Sequence, residues 1–213
     1  MSNCIENCPI CGGEGYVFIG DAVKTCENSP ATFAGTGVGY ADLAVPDTLP
    51  KTKALGHIKA EIDAIVKAGF GMLYIAGGYG IGKTVTAKAA TARLAQKGVR
   101  GIYARQSQMI NRLRSAYDEP AGQKAFAEYL KAYCTIDWLV IDELGRDRMT
   151  DFARESLAEI IDARYQGAIS KRNMTVLISN DKPEDVLQPY LIDRVRDVKN
   201  KVLIIKGESL RGG

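Results

Sequence analysis

Residues Gly77 to Thr84 read Gly-Gly-Tyr-Gly-Ile-Gly-Lys-Thr, which fits G-x-x-x-x-G-K-[ST], and this stretch constrains the fold more than any other. Met72–Ala76 before it is a short apolar run of the kind that forms a buried parallel strand. Val85–Gln96 after it is rich in Ala, Lys and Leu and reads as a helix. Strand, glycine loop and helix in that order are the context in which the motif has physical meaning. Glycines let the loop curl so that successive N–H groups point at phosphate oxygens. The helix N-terminus adds partial positive charge, and Lys83 adds a full one. Thr84 offers a hydroxyl to Mg²⁺. The run predicts a nucleoside triphosphate site built from Gly77, Gly78, Tyr79, Gly80, Ile81, Gly82, Lys83, Thr84 and Val85.

Periodicity supplies the rest of a layered domain. Leu55, Ile58, Ile62 and Ile65 recur at three- and four-residue steps over Lys51–Ala68, which predicts an amphipathic helix. Strands are predicted at 99–104, 136–141, 174–178 and 202–205. Helices are predicted from Ser107, over 123–133, over 151–166, near 184–187 and over 189–196. Strands alternating with helices imply an α/β fold, a parallel sheet with helices on both faces.

The strand at 136–141 leads into Asp142 and Glu143, so it carries two carboxylates to the sheet edge where ligands of open α/β folds sit. Beside a P-loop, Asp142 is expected to hold Mg²⁺ and Glu143 to act as general base toward an attacking water. Ser179-Asn180 follows another buried strand, placing an amide within reach of a γ-phosphate or the lytic water, or else in an Asx turn. Arg194, Arg196 and Arg211 follow apolar segments, and arginine suits a developing phosphoryl charge.

A chain of 213 residues holds one good-sized domain and a small appendage. Four of its five cysteines, Cys4, Cys8, Cys11 and Cys26, crowd the first 26 residues, and Cys134 stands alone before a core strand. In a reducing compartment such a cluster points to metal. Cys8-Pro-Ile-Cys11 reads as a knuckle-like turn, and the four thiolates match the ligand number of a structural Zn²⁺ site, the alternatives being a metal-free or a redox role. Cys26 lacks the nearby partner cysteine of a regular ribbon. The expected organisation is a cysteine-rich module at 1–30, a Gly- and Pro-containing linker at 31–50 and an ATPase domain at 51–213. No apolar run is long enough to span a membrane and the start lacks a signal-peptide pattern, so the expected location is cytoplasmic. A formal charge of +3 is too small to argue for nucleic-acid binding alone.

The P-loop, Asp142-Glu143, Ser179-Asn180, Leu191-Ile-Asp-Arg194-Val195 and Gly207-Glu-Ser-Leu-Arg211 together resemble the AAA+ ATPases of the DnaC/DnaI helicase-loader and IstB type. The likeness covers roughly residues 50–211. It implies an AAA+ sheet without a helical lid domain. It also implies an N-terminal cysteine module that contacts a hexameric replicative helicase. Asn180 becomes the sensor orienting the lytic water, and Arg211 a second sensor on phosphate in its own subunit. Arg194 becomes an arginine finger acting on a neighbour's ATP, with Arg196 as runner-up. A finger acting in trans implies self-association into a ring or spiral. Single-stranded DNA along the inner surface is also implied, with Arg105, Arg112, Arg114, Arg146 and Arg148 as candidate contacts. The expected activity is Mg²⁺-dependent ATP hydrolysis that controls helicase loading. The rivals are an IstB-like helper of a DNA transposase and a nucleotide-locked adaptor with little turnover.

Overall fold

The computed structural model describes residues 16–19, 22–25, 52–118, 122–147, 149–207 and 209–210. The proposed zinc ligands Cys4, Cys8, Cys11 and Cys26, the linker at 31–50, Arg148 and Arg211 lie outside these residues. Strands β1 (Tyr16–Ile19) and β2 (Ala22–Thr25) form an antiparallel pair in which Tyr16 faces Thr25 and Ile19 faces Ala22. The pair falls within the cysteine-rich stretch, where the sequence reading had only a metal knuckle.

The domain proper opens with α1 (Lys53–Ala68), capped by the Thr52 hydroxyl, which accepts from the Leu55 N–H at 3.2 Å, and closed by Gly69 in the left-handed region. Then follow β3 (Gly71–Gly77), α2 (Lys83–Gln96), β4 (Gly101–Arg105), α3 (Gln106–Asp118) and α4 (Gly122–Thr135). Next come β5 (Trp138–Leu144), α5 (Asp151–Ile169), β6 (Met174–Ser179), the single turn α6 (Pro183–Val186), α7 (Pro189–Arg196) and β7 (Lys201–Ile205). Every predicted helix and strand of this region is present, with ends shifted by at most three residues.

The last five strands form one parallel sheet in the order β4-β5-β6-β3-β7. Alternate residues of each strand point to opposite faces, and each face has its own core. Leu73, Ile75, Tyr103, Trp138, Val140, Val176 and Ile178 pack against Ile58, Ile62 and Ile65 of α1 and Ala87, Ala90 and Leu94 of α2. Met72, Tyr74, Ile102, Leu139, Ile141 and Leu177 pack against α3, α4, α5 and α7 through Leu113, Tyr133, Leu157, Ile161 and Leu191. All strands run the same way, so β3, β5 and β6 end on one edge. No helix among the described residues is long and apolar enough to cross a membrane.

Candidate nucleotide site

The loop between β3 and α2 is shaped by its glycines. Gly80 and Gly82 have φ of 76° and 100°, in the left-handed region that side chains resist. A Cβ on Gly82 would collide with the Leu55 side chain, and one on Gly80 with the Ser209 hydroxyl. Gly82 is the N-cap of α2 and offers no side chain, and the first turn of α2 has no acidic residue. The first amides of α2 therefore face the loop without an internal acceptor, which is the arrangement that attracts phosphate.

A cleft of about 430 Å³ opens at this edge of the sheet. It is lined by residues 79–85, by Asp142, Glu143 and Asn180, and by Lys88, Arg146, Ile178 and Leu210. The volume lies within the range of small-ligand sites. Tyr79 stands 70% exposed at its rim. The Lys83 ammonium, 7% exposed, donates to the carbonyls of Gly77 at 2.5 Å and Gly78 at 2.7 Å and to Asn180 Oδ1 at 3.0 Å. Burial lowers its pKa, and the charge of Asp142 acts in the opposite direction.

Asp142, 2% exposed, sits beneath α2. Its Oδ2 accepts from the Thr84 hydroxyl at 2.8 Å and from the Tyr103 hydroxyl at 2.5 Å, and its Oδ1 from the Glu143 N–H at 2.7 Å. The strand does not end at Ile141, as periodicity suggested; it runs to Leu144 with a register shift between Ile141 and Leu144. Within that irregularity Glu143 adopts φ of 56°, a conformation that costs a non-glycine residue on the order of 1–3 kcal/mol. Its carboxylate accepts from Arg146 Nη1 at 2.6 Å and lies 3.9 Å from Arg105 Nε. Ser179 joins the two strand ends, donating to the Leu144 carbonyl at 2.7 Å and accepting from the Asp181 N–H at 3.1 Å. That link fixes Asn180 relative to the acidic pair.

Thr84 Oγ1 and Asp142 Oδ2 are hard oxygen donors 2.8 Å apart beside the phosphate loop, and such a pair fits Mg²⁺. The Leu210 N–H donates to the Gly80 carbonyl at 2.9 Å, so the segment leading to Arg211 lies against the P-loop. Arg194 and Arg196, in the last turn of α7, do not line the cleft. Arg194 Nε donates to Asp162 Oδ1 at 2.8 Å and its guanidinium lies over the Tyr165 ring, 4.8 Å from the centroid. Arg196 pairs with Glu184 at 2.5 Å.

Residues 69–212 match the family described as IstB-like ATP binding protein. The chain belongs to that family. The ATP binding protein of insertion sequence IS1162 from Pseudomonas fluorescens is 30% identical over 92 residues, 43% of this chain and 38% of that relative. Among solved structures, the DnaC helicase loader superposes with a TM-score of 0.59 at 23% identity, covering 78% of this chain and 98% of that one. DnaI gives 0.62 at 16% identity, covering 82% and 94%. AMPPCP-bound DnaA from Aquifex aeolicus gives 0.62 at 16% identity, covering 73% of this chain and 48% of that one. The IstB-like domain thus has the AAA+ fold of replication initiators and loaders, and this chain spans about half the length of that DnaA and less of the IS1162 relative.

Four of the five arginines singled out for DNA are described, and each is engaged within the IstB-like domain. Arg112 donates to the Tyr129 hydroxyl at 2.9 Å and Arg114 lies over Phe152 at 5.6 Å, while Arg105 and Arg146 face Glu143. Sequence reasoning missed Tyr103, Lys88 and Leu210 at the site. Lys88 had a signal, since it follows Thr84 by four residues on one helix face. Tyr103 had none, because its contact with Asp142 exists only once β4 and β5 pair.

Proposed function

We propose that this chain is a Mg²⁺-dependent ATPase that loads a replicative DNA helicase onto single-stranded DNA. The observation that carries the ATPase reading is the convergence of Lys83, Thr84, Asp142, Glu143 and Asn180 on one cleft. The P-loop amides and Lys83 bind the phosphates. Thr84 and Asp142 would hold Mg²⁺, which would supply positive charge to offset that of the phosphates. Glu143 takes a proton from the attacking water, and Asn180 orients that water against the γ-phosphate. Arg211 contacts phosphate in its own subunit. Arg194, outside the cleft of its own subunit, acts on a neighbour's nucleotide, so turnover follows head-to-tail self-association.

In the loader reading, the Cys4, Cys8, Cys11 and Cys26 module binds Zn²⁺ and grips a hexameric helicase. Arg105, Arg112, Arg114, Arg146 and Arg148 are its candidate phosphate contacts to single-stranded DNA. Coverage of nearly the whole length of the DnaC helicase loader supports this reading. Similarity to an insertion-sequence ATP-binding protein supports a second one, a helper of a DNA transposase. Two measurements test the proposal. Glu143→Gln is expected to bind ATP and lose turnover at least a hundredfold; unchanged turnover removes the assignment. Pull-down of a hexameric helicase by the full chain, zinc present, supports loading, whereas capture of a transposase alone supports the second reading.

A further inference from the structure

We propose that Tyr103 is a positioning residue for the nucleotide's divalent cation, holding the Asp142 carboxylate in the orientation from which it and Thr84 face one ion. The proposal rests on reading the cleft as an ATP–Mg²⁺ site. Tyr103 lies within β4 on the face covered by α2, and its side chain is 3% exposed. A buried phenol requires a hydrogen-bond partner, and any neutral acceptor would satisfy it. This one reaches instead to a carboxylate on the adjacent strand. The register places Tyr103 beside Val140 and Arg105 beside Asp142, so the contact crosses diagonally from β4 to Asp142, the first residue after Ile141, where the β5–β6 register begins to shift.

The geometry assigns each donor a separate task. The Glu143 N–H holds Oδ1, while Thr84 and Tyr103 share Oδ2. No close ion pair reaches Asp142 among the described residues, so its hydrogen bonds there come from neutral donors, with the Lys83 charge acting from further off. Of the two donors on Oδ2, Thr84 sits on the P-loop helix and is itself a candidate ligand. Tyr103 belongs to the sheet and lies behind the carboxylate, so it fixes Oδ2 independently of the loop. Its ring is held in turn by Lys88, whose ammonium lies 5.3 Å from the centroid. Partners that orient a metal-binding carboxylate in this way typically govern metal affinity by tenfold or more.

Tyr103→Phe removes the hydroxyl and keeps the ring. The test uses the full chain and a fluorescent ATP analogue, with binding read in EDTA and then across a Mg²⁺ titration. Affinity in EDTA is expected to match the wild type, while the Mg²⁺ concentration for half-maximal tightening rises about tenfold. Asp142→Asn is expected to produce the same kind of shift, and the double variant no further shift beyond Asp142→Asn. Three results overturn the proposal: an unshifted Mg²⁺ midpoint in Tyr103→Phe, additive shifts in the double variant, or equal weakening with and without Mg²⁺. Failure of Tyr103→Phe to fold also overturns it, because the hydroxyl would then be structural. A wild type whose nucleotide binding ignores Mg²⁺ instead sinks the underlying ATP–Mg²⁺ reading.

Discussion

The Lys83 ammonium donates to the Asn180 side-chain oxygen at 3.0 Å, joining the start of α2 to the end of β6 across the cleft. The two residues are 97 positions apart, and only the placement of β3 next to β6 brings them together. A phosphate gripped by Lys83 is thereby presented to Asn180. Asn180→Ala is expected to lower turnover about ten- to a hundredfold with ATP affinity changed by less than about threefold, because the amide acts on the reacting end of the nucleotide. Separate measurement of ATP binding and single-turnover hydrolysis checks it; a loss confined to binding would assign Asn180 to holding Lys83 alone.

Among the described residues Arg146 is the nearest cation to the proposed base, 2.6 Å from Glu143, but both side chains are partly exposed. Such pairs are worth roughly 0–1 kcal/mol, so they restrain a carboxylate without immobilising it. Arg146→Ala is therefore expected to raise the hydrolysis rate by no more than about fivefold, and less at high salt. A fall of tenfold or more, at unchanged ATP affinity, would instead make Arg146 part of the reacting constellation.

Arg164 is fully buried in α5, and its guanidinium donates to Thr175 Oγ1 at 2.8 Å, to the Met174 carbonyl at 2.5 Å and to the Ile136 carbonyl. It ties the C-terminal end of α4 to the start of β6, and no carboxylate among the described residues forms an ion pair with it. Burial pushes its pKa down to about 9, because this pocket solvates a charge poorly. Removing the charge relieves that cost but strands the carbonyls, and the stranded carbonyls win. Arg164→Met is expected to destabilise the domain by about 3 kcal/mol, and Arg164→Lys to recover less than half, since one ammonium cannot span the fork. Chemical denaturation of the three proteins decides this.

Burial raises the Cys134 thiol to about 11 from an ordinary 9. The folded protein then keeps a proton that the unfolded chain releases, so this residue's contribution is intact below pH 9 and declines between pH 9 and 11. The melting-temperature advantage of wild type over Cys134→Ala is expected to shrink across that window. Alkylation at pH 8 is expected to be slow at Cys134 in the folded state and fast after unfolding.

The sequence disclosed what is local. The P-loop, the acidic pair and the strand before Asn180 each carry their signal within a few residues, because glycine geometry and burial periodicity are short-range. The helix at 151–169 shows the limit: its Leu157, Ile160 and Ile161 were readable as core, but nothing in the pattern marked Arg164 as buried too. Its acceptors come from α4 and β6, which meet it only after folding. Glu143 is similar, since its positive φ follows from a register shift between two strands and not from its neighbours in the chain. Tyr103 needed the pairing of β4 with β5.

Arg194 is held by Nε to Asp162 and by its face to Tyr165, whose hydroxyl donates to Asp197 at 2.8 Å. Those contacts engage one edge and one face of the guanidinium, which also shares a side-chain hydrogen bond with Tyr165. Arg196 is engaged differently, through its Nε and a terminal nitrogen on Glu184, and the proposed function takes Arg194 as the finger. If it acts in trans, neither Arg194→Ala nor Glu143→Gln should hydrolyse ATP alone, the first lacking the finger and the second the base. Mixed one to one, an Arg194→Ala site can meet a Glu143→Gln neighbour's intact finger, and random assembly makes about a quarter of the interfaces productive. Turnover near that fraction of wild type is expected on mixing. Arg196→Ala mixed in the same way should show no such complementation, because it should already be active by itself. Silence of the Arg194→Ala and Glu143→Gln mixture would place Arg194 in its own subunit's structure, as an anchor between α7 and α5.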